Sequence, residues 1–176
     1  MKLNKSALLF LMVFTTLAFL ACSKSSSNEV VNPEPDTSCS TIKTQSAQGK
    51  FRGRDFTYIV GYYQKIGTRY QCRLFTKVST DSSCIFGTFT GDDDKILWSI
   101  PTLGAQTIVL NQTTSTLNFN RILASNSNTE IELADCGKIE ILSYDDVTKK
   151  ITGRLIAKGQ QGSTVDGNFV LDLCTP

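Results

Sequence analysis

The sequence predicts an antiparallel all-β domain of about nine to eleven strands. A sandwich is the preferred arrangement, with a lipocalin-like barrel as the alternative. Three observations carry the prediction. Apolar residues alternate with polar ones over most of the stretch from Gln45 to Leu173. Clusters of Gly, Asn, Asp and Ser break that alternation every 8 to 14 residues or so. No segment there keeps a helical period over the length a helix needs.

Taken in order, Phe56, Tyr58, Val60 and Tyr62 alternate with Thr57, Ile59, Gly61 and Tyr63. After a turn at Ile66-Gly67-Thr68, Tyr70, Cys72, Leu74 and Val78 share a face, with Gln71, Arg73, Phe75 and Lys77 opposite. Thr80 to Ser83 reads as a turn, Cys84 to Thr90 as a return strand, and Gly91 to Asp94 as a second turn. Ile96, Trp98 and Ile100 then share a face, and Pro101 ends that strand because it lacks a backbone donor. Thr107–Leu110, Leu117–Leu123 and Glu130–Ala134 read as shorter strands, with Ile131 and Leu133 on one face. Ile139 and Ile141 lead to a turn at Asp145-Asp146. Ile151, Gly153, Leu155 and Ala157 form the next apolar face, and Val165, Gly167, Phe169, Leu171 and Leu173 the last.

Ahead of the domain, Lys2 and Lys5 precede an apolar run from Ala7 to Ala21. The run is short for a membrane span, which takes about 20 apolar residues. It fits the core of an export signal. Its end, Phe19-Leu20-Ala21-Cys22, resembles the lipobox of bacterial lipoproteins, in the looser form with Phe in place of Leu. The resemblance implies cleavage before Cys22, acylation of Cys22, and anchorage to a lipid bilayer. Ser23 after it is compatible with sorting to the outer membrane, on its periplasmic or cell-surface face. Residues 1–21 thus read as signal, 22–38 as a polar tether extended by Pro33 and Pro35, and 39–176 as one β domain.

The C-terminal strands carry a second resemblance. Gly137-Lys138-Ile139-Glu140-Ile141, Ile151-Thr152-Gly153 and Gly167-Asn168-Phe169, with Phe51-x-Gly53-x-x-Phe56 earlier, resemble a family of Bacteroidota lipoproteins of unknown function. The match is one of strand and turn chemistry. It implies fold and address, and supplies no catalytic residue.

The precursor has a net charge of +2, and removal of Lys2 and Lys5 leaves 16 basic and 16 acidic residues. That balance gives no case for nucleic acid. The charges are nonetheless segregated. Lys43 to Lys77 holds eight basic residues and one acid, whereas Asp81 to Asp146 holds ten acids and three bases. Cross-strand pairing of the two segments is the expected outcome, and a basic face for an anionic glycan or headgroup the alternative. The chain contains no histidine, which removes Ser-His-Asp and Cys-His catalysis and histidine zinc ligation. No cysteine pair has close zinc-ligand spacing, and the Asp92-Asp93-Asp94 and Asp145-Asp146 turns lack the calcium-loop pattern. The expectation is therefore a non-enzyme without metal or cofactor.

Besides Cys22 there are Cys39, Cys72, Cys84, Cys136 and Cys174, and an exported domain favours disulfides. The meander places Cys136 and Cys174 at opposite strand ends. A hairpin through Thr80–Ser83 keeps Cys72 and Cys84 about 20 Å apart, beyond bridging range. Cys39 on its lead can reach either end, and Cys39–Cys174 is the expected bond. For ligand binding, Tyr63 falls opposite Phe56, Tyr58 and Val60, with Arg73 near it on the next strand. The pair forms the candidate platform for a sugar, while Trp98 is expected in the core. The function expected from all this is a membrane-tethered binding module for a glycan, lipid or protein, with an accessory subunit of an envelope assembly as the alternative.

Overall fold

The computed structural model describes residues 39–78, 93–123 and 128–175. The signal, the tether, Cys22 and the Thr80–Thr90 hairpin therefore lie outside the described residues. The described residues form ten strands: β1 (Gln48–Phe51), β2 (Arg54–Thr57), β3 (Val60–Ile66), β4 (Arg69–Phe75), β5 (Asp93–Ile100), β6 (Gln106–Val109), β7 (Leu117–Ile122), β8 (Thr129–Asp145), β9 (Lys150–Gly159) and β10 (Thr164–Leu173).

Seven of them close a barrel in the order β3-β4-β5-β7-β8-β9-β10, so the barrel replaces the sandwich that the sequence favoured. Each neighbour is antiparallel except at the seam, where β10 runs parallel to β3 through Asp172↔Tyr62 and Leu173↔Tyr63. The seam follows from parity. Strands that alternate in direction around a ring of odd number must meet once in the same direction. An eight-stranded antiparallel barrel of the lipocalin kind has no such seam.

The remaining strands are appendages. β1 pairs with β10 at Thr164–Asp166 and forms a hairpin with β2, while β6 pairs with β8 at Lys138–Ile141. The hairpin turn is Arg52-Gly53, and both residues have positive φ, 45° and 86°. A two-residue turn of that hand suits strand twist but is strained for a non-glycine. Arg52 is held there by ion pairs to Glu130 at 3.2 Å and Glu132 at 3.5 Å.

A barrel of this size has an interior that side chains fill. Here Leu74, Ile96, Trp98, Ile100, Leu117, Phe119, Ile139, Leu155, Phe169 and Leu171 are all buried in one cluster. Trp98 meets Phe169 edge-on with centroids 5.2 Å apart. Phe169 lies over Gly153, where an added Cβ would sit 2.5 Å from the ring. The missing side chain at Gly153 is thus the space the phenyl ring occupies. Phe51 of the hairpin packs against Phe119 at 6.4 Å and closes one end.

Three expectations are corrected. First, Phe56 to Tyr63 is not one strand. The chain turns a corner at Tyr58-Ile59, where Tyr58 N–H bonds Ala47 O and Ile59 N–H bonds Phe75 O. The corner shifts the phase, so Phe56 and Tyr63 both face the core. Second, Asp93 and Asp94 are buried residues of β5 rather than a solvated turn. Third, at the start of β8 the inward residues are Glu132 and Ala134, and Ile131 is exposed. Burial of Glu132 is possible because its carboxylate accepts Gln161 N–H at 2.6 Å, Ser163 N–H at 3.1 Å and Ser163 O–H at 2.6 Å.

The disulfide also differs. Cys39 bonds to Cys136, with Cα atoms 6.0 Å apart. Cys174 is likewise disulfide-bonded, and not to Cys39. Cys136 and Cys174 do lie at opposite ends. Cys136 is beside Lys158, which pairs with Thr164 at the start of β10, whereas Cys174 follows the end of β10 beside Tyr63. What decides the choice is the route of the chain. From Cys136 on β8, residues 39–46 run as a strap over Ile156 of β9 to β10. There Lys43 N–H bonds Asp166 at 2.8 Å and Asn168 Nδ2 donates to Thr44 O at 2.6 Å. Ile156 points outward yet is 8% exposed.

Candidate ligand-binding face

The two charge segments meet at Arg52 and Arg54, while Lys43 and Lys50 find acids outside the acidic segment. Arg52 pairs with Glu130 and Glu132, Arg54 with Asp94 at 3.8 Å, and Lys50 with Asp55 at 3.0 Å. Lys43 pairs with Asp166 at 3.8 Å. An open groove between the strap and the β1–β2 hairpin is lined by Lys43, Lys50 and Lys158, but its charges are already partnered: Lys43 and Lys50 pair with the groove's own acids, and Lys158 is likewise engaged.

A different surface collects unsatisfied polar atoms. On β3, β4, β5 and β7 the barrel fills its inside with one parity of each strand, so the other parity builds one outer face. Tyr62 and Gln64 stand there on β3, Gln71, Arg73 and Phe75 on β4, Asp93, Lys95, Leu97 and Ser99 on β5, and Asn118 and Asn120 on β7. The pairing aligns them in rows: Tyr62↔Arg73↔Leu97↔Asn118, Gln64↔Gln71↔Ser99, and Phe75↔Lys95↔Asn120. Adjacent strands are about 4.8 Å apart, so the face from β3 to β7 is about 14 Å wide.

On this face Gln64 Oε1, Arg73 Nη1, Asp93 Oδ1, Asn118 Oδ1 and Asn120 Oδ1 are each buried and without a hydrogen-bond partner. Native structures leave few such atoms unpaired, and each one costs stability unless water or a ligand satisfies it. Five such atoms lie on one face of four adjacent strands. The flanks are accessible: Tyr62, Gln64, Gln71, Leu97, Ser99, Asn118 and Asn120 are half-buried, whereas Arg73 is 5% exposed. The deep end is closed by Phe75, whose ring lies 6.1 Å from that of Tyr62, and by the Asp93–Lys95 pair at 3.4 Å. Burial pushes the Asp93 carboxyl above its ordinary value, against the pull of Lys95.

Of the predicted pair, Arg73 stands on this face and Tyr63 does not. Tyr63 is buried at 1% exposure, donates its hydroxyl to Lys149 O at 3.0 Å, and stacks edge-on with Tyr70. Burial, reinforced by the neighbouring Tyr144, holds its phenol well above the usual range. The residue beside Arg73 is Tyr62. Trp98 is in the core as expected. Asn118 and Asn120 gave a sequence signal, since they alternate with Leu117 and Phe119. Their approach to Arg73 depends on β5 pairing with β7, with β6 left outside the barrel, and no local pattern announces that.

Cys72 lies inside the barrel as a buried thiol, pushed up by burial. No group of three or more metal-ligating side chains occurs among the described residues. Compared with family models, curated proteins and solved structures, the chain matched none.

Proposed function

We propose that this chain is an envelope lipoprotein, held at the outer membrane by acylated Cys22, whose barrel is a non-enzymatic module that binds a glycan. The observation that carries the ligand class is the set of unpartnered amide oxygens of Gln64, Asn118 and Asn120 on one outer face. Amide oxygens accept from hydroxyl groups, and a sugar chain presents many hydroxyls at short intervals. Half-buried Tyr62 and Leu97 supply an apolar strip for the C–H side of a sugar ring. The anchor reading rests on the Lys2/Lys5 leader and the Leu20-Ala21-Cys22 ending.

Titration of the soluble domain with a panel of oligosaccharides, followed by calorimetry and thermal shift, tests the reading. An oligosaccharide that binds wild type should bind N118A/N120A at least about tenfold more weakly, from two lost hydrogen bonds of about 1 kcal/mol each. Absence of any stabilising oligosaccharide, or wild-type affinity in the double variant, refutes it. Metabolic labelling with a palmitate analogue, lost in Cys22→Ser, tests the anchor.

A further inference from the structure

Arg73 is chemically out of place where it stands. Arg73 is 5% exposed, its guanidinium carries a full positive charge, and among the described residues it donates one hydrogen bond, from Nη2 to Gln71 Oε1. Nη1 has no partner. A buried guanidinium in a folded protein normally meets a carboxylate in a two-pronged contact. None does so here. Tyr62 faces Arg73 from β3 and Leu97 from β5, while Gln71 and Phe75 flank it on β4. The acid of β5 on that face, Asp93, is already paired with Lys95. Burial pulls the guanidinium pKa below its ordinary value, yet arginine does not lose its proton in proteins.

We infer that Arg73 reads a carboxylate on the ligand, so that the face selects an acidic sugar over a neutral one. This rests on the glycan reading for the body of the ligand, and on Arg73 alone for its charge. Nη1 is the buried donor left without a partner, which a carboxylate would satisfy on entering between Tyr62 and Leu97, while Gln71 holds Nη2. The half-buried row of Tyr62, Leu97 and Asn118 leads a chain to it, with Asn118 two strands away, at about 10 Å. A carboxylate on one sugar and hydroxyls on the next would then engage Arg73 and Asn118 together.

Trigalacturonate and its methyl ester share every hydroxyl and differ in charge, which makes them the probes. Wild type should bind the acid at least tenfold more tightly than the ester. Arg73→Gln should erase that preference, and Arg73→Lys should restore part of it. If Arg73→Gln fails to fold, the acid-to-ester ratio on wild type still decides. A parallel arm follows the Arg73 Nε–Hε resonance of wild type under inorganic phosphate or acetate. Equal affinity for acid and ester overturns the role of Arg73 and leaves the glycan reading standing. A shift of the Arg73 resonance with phosphate or acetate, without binding of either trisaccharide, keeps the anion site and removes the glycan. No response in either arm overturns both.

Discussion

Replacing Cys39 and Cys136 together by serine removes the bond that pins the strap to β8. The bond joins residues 97 apart in sequence. In the chain-entropy treatment, a loop of about 100 residues contributes about 4.7 kcal/mol at 25 °C by restricting the unfolded chain. The folded domain loses little else. The strap keeps Lys43 N–H on Asp166, Asn168 Nδ2 on Thr44 O, Asn168 N–H on Gln45 O and Ala47 N–H on Asn168 O. The double variant should therefore fold to the same barrel and lose about 4 kcal/mol in urea or guanidinium unfolding, with the midpoint lowered and the slope increased because the unfolded chain is no longer crosslinked. Peptide mapping of the wild type under non-reducing conditions should recover Cys39 and Cys136 in one linked peptide. A loss below about 1 kcal/mol, or a map linking Cys39 to another cysteine, would show that the strap does not cross to β8.

Glu132→Ala strips the partner from Ser163 and from two backbone N–H groups while leaving Arg52 without its buried carboxylate, so unfolding stability should fall by about 3 kcal/mol or more. Trp98→Ala should cost about 3 to 5 kcal/mol through the cavity left beside Phe169. Glu140 is held below its ordinary carboxyl value by hydrogen bonds from Lys138 and Arg154. Its contribution is therefore complete above the unfolded value of 4.5 and lost as pH falls through the lower folded value, and E140Q should flatten that acid limb in pH-dependent melts. Cys72 should resist iodoacetamide in the native protein and label after denaturation, because the buried thiol forms little thiolate.

The apolar faces of β5, β7, β9 and β10 were legible in the sequence because a half-buried strand shows its inner side as every second residue. Ile96-Trp98-Ile100 and Val165-Phe169-Leu171 are buried as that pattern requires. The pattern failed wherever backbone geometry changed parity. At Tyr58-Ile59 a corner exchanged the faces and carried Tyr63 inward. At Glu132 a nest of donors from the β9–β10 turn made burial of a charge cheaper than its residue type suggests. The ligand face was half legible. Arg73 could be placed outward from its own strand, but its relation to Asn118 and Asn120 is a property of strand order. Strand order, sandwich against barrel, and the Cys39–Cys136 bond are all long-range facts that periodicity does not encode.

The parallel seam has a consequence for how the molecule is made. β10 closes the barrel by pairing with β3 on one side and β9 on the other, and it also carries the β1–β2 hairpin. During vectorial synthesis every other strand emerges first. The nascent chain therefore carries two unprotected sheet edges, on β3 and β9, until Thr164–Leu173 arrive. Exposed edges of that kind invite pairing with other chains. The final strand thus acts as the zip of the domain, and a chain cut short before Thr164 is expected to aggregate rather than to fold as a smaller barrel.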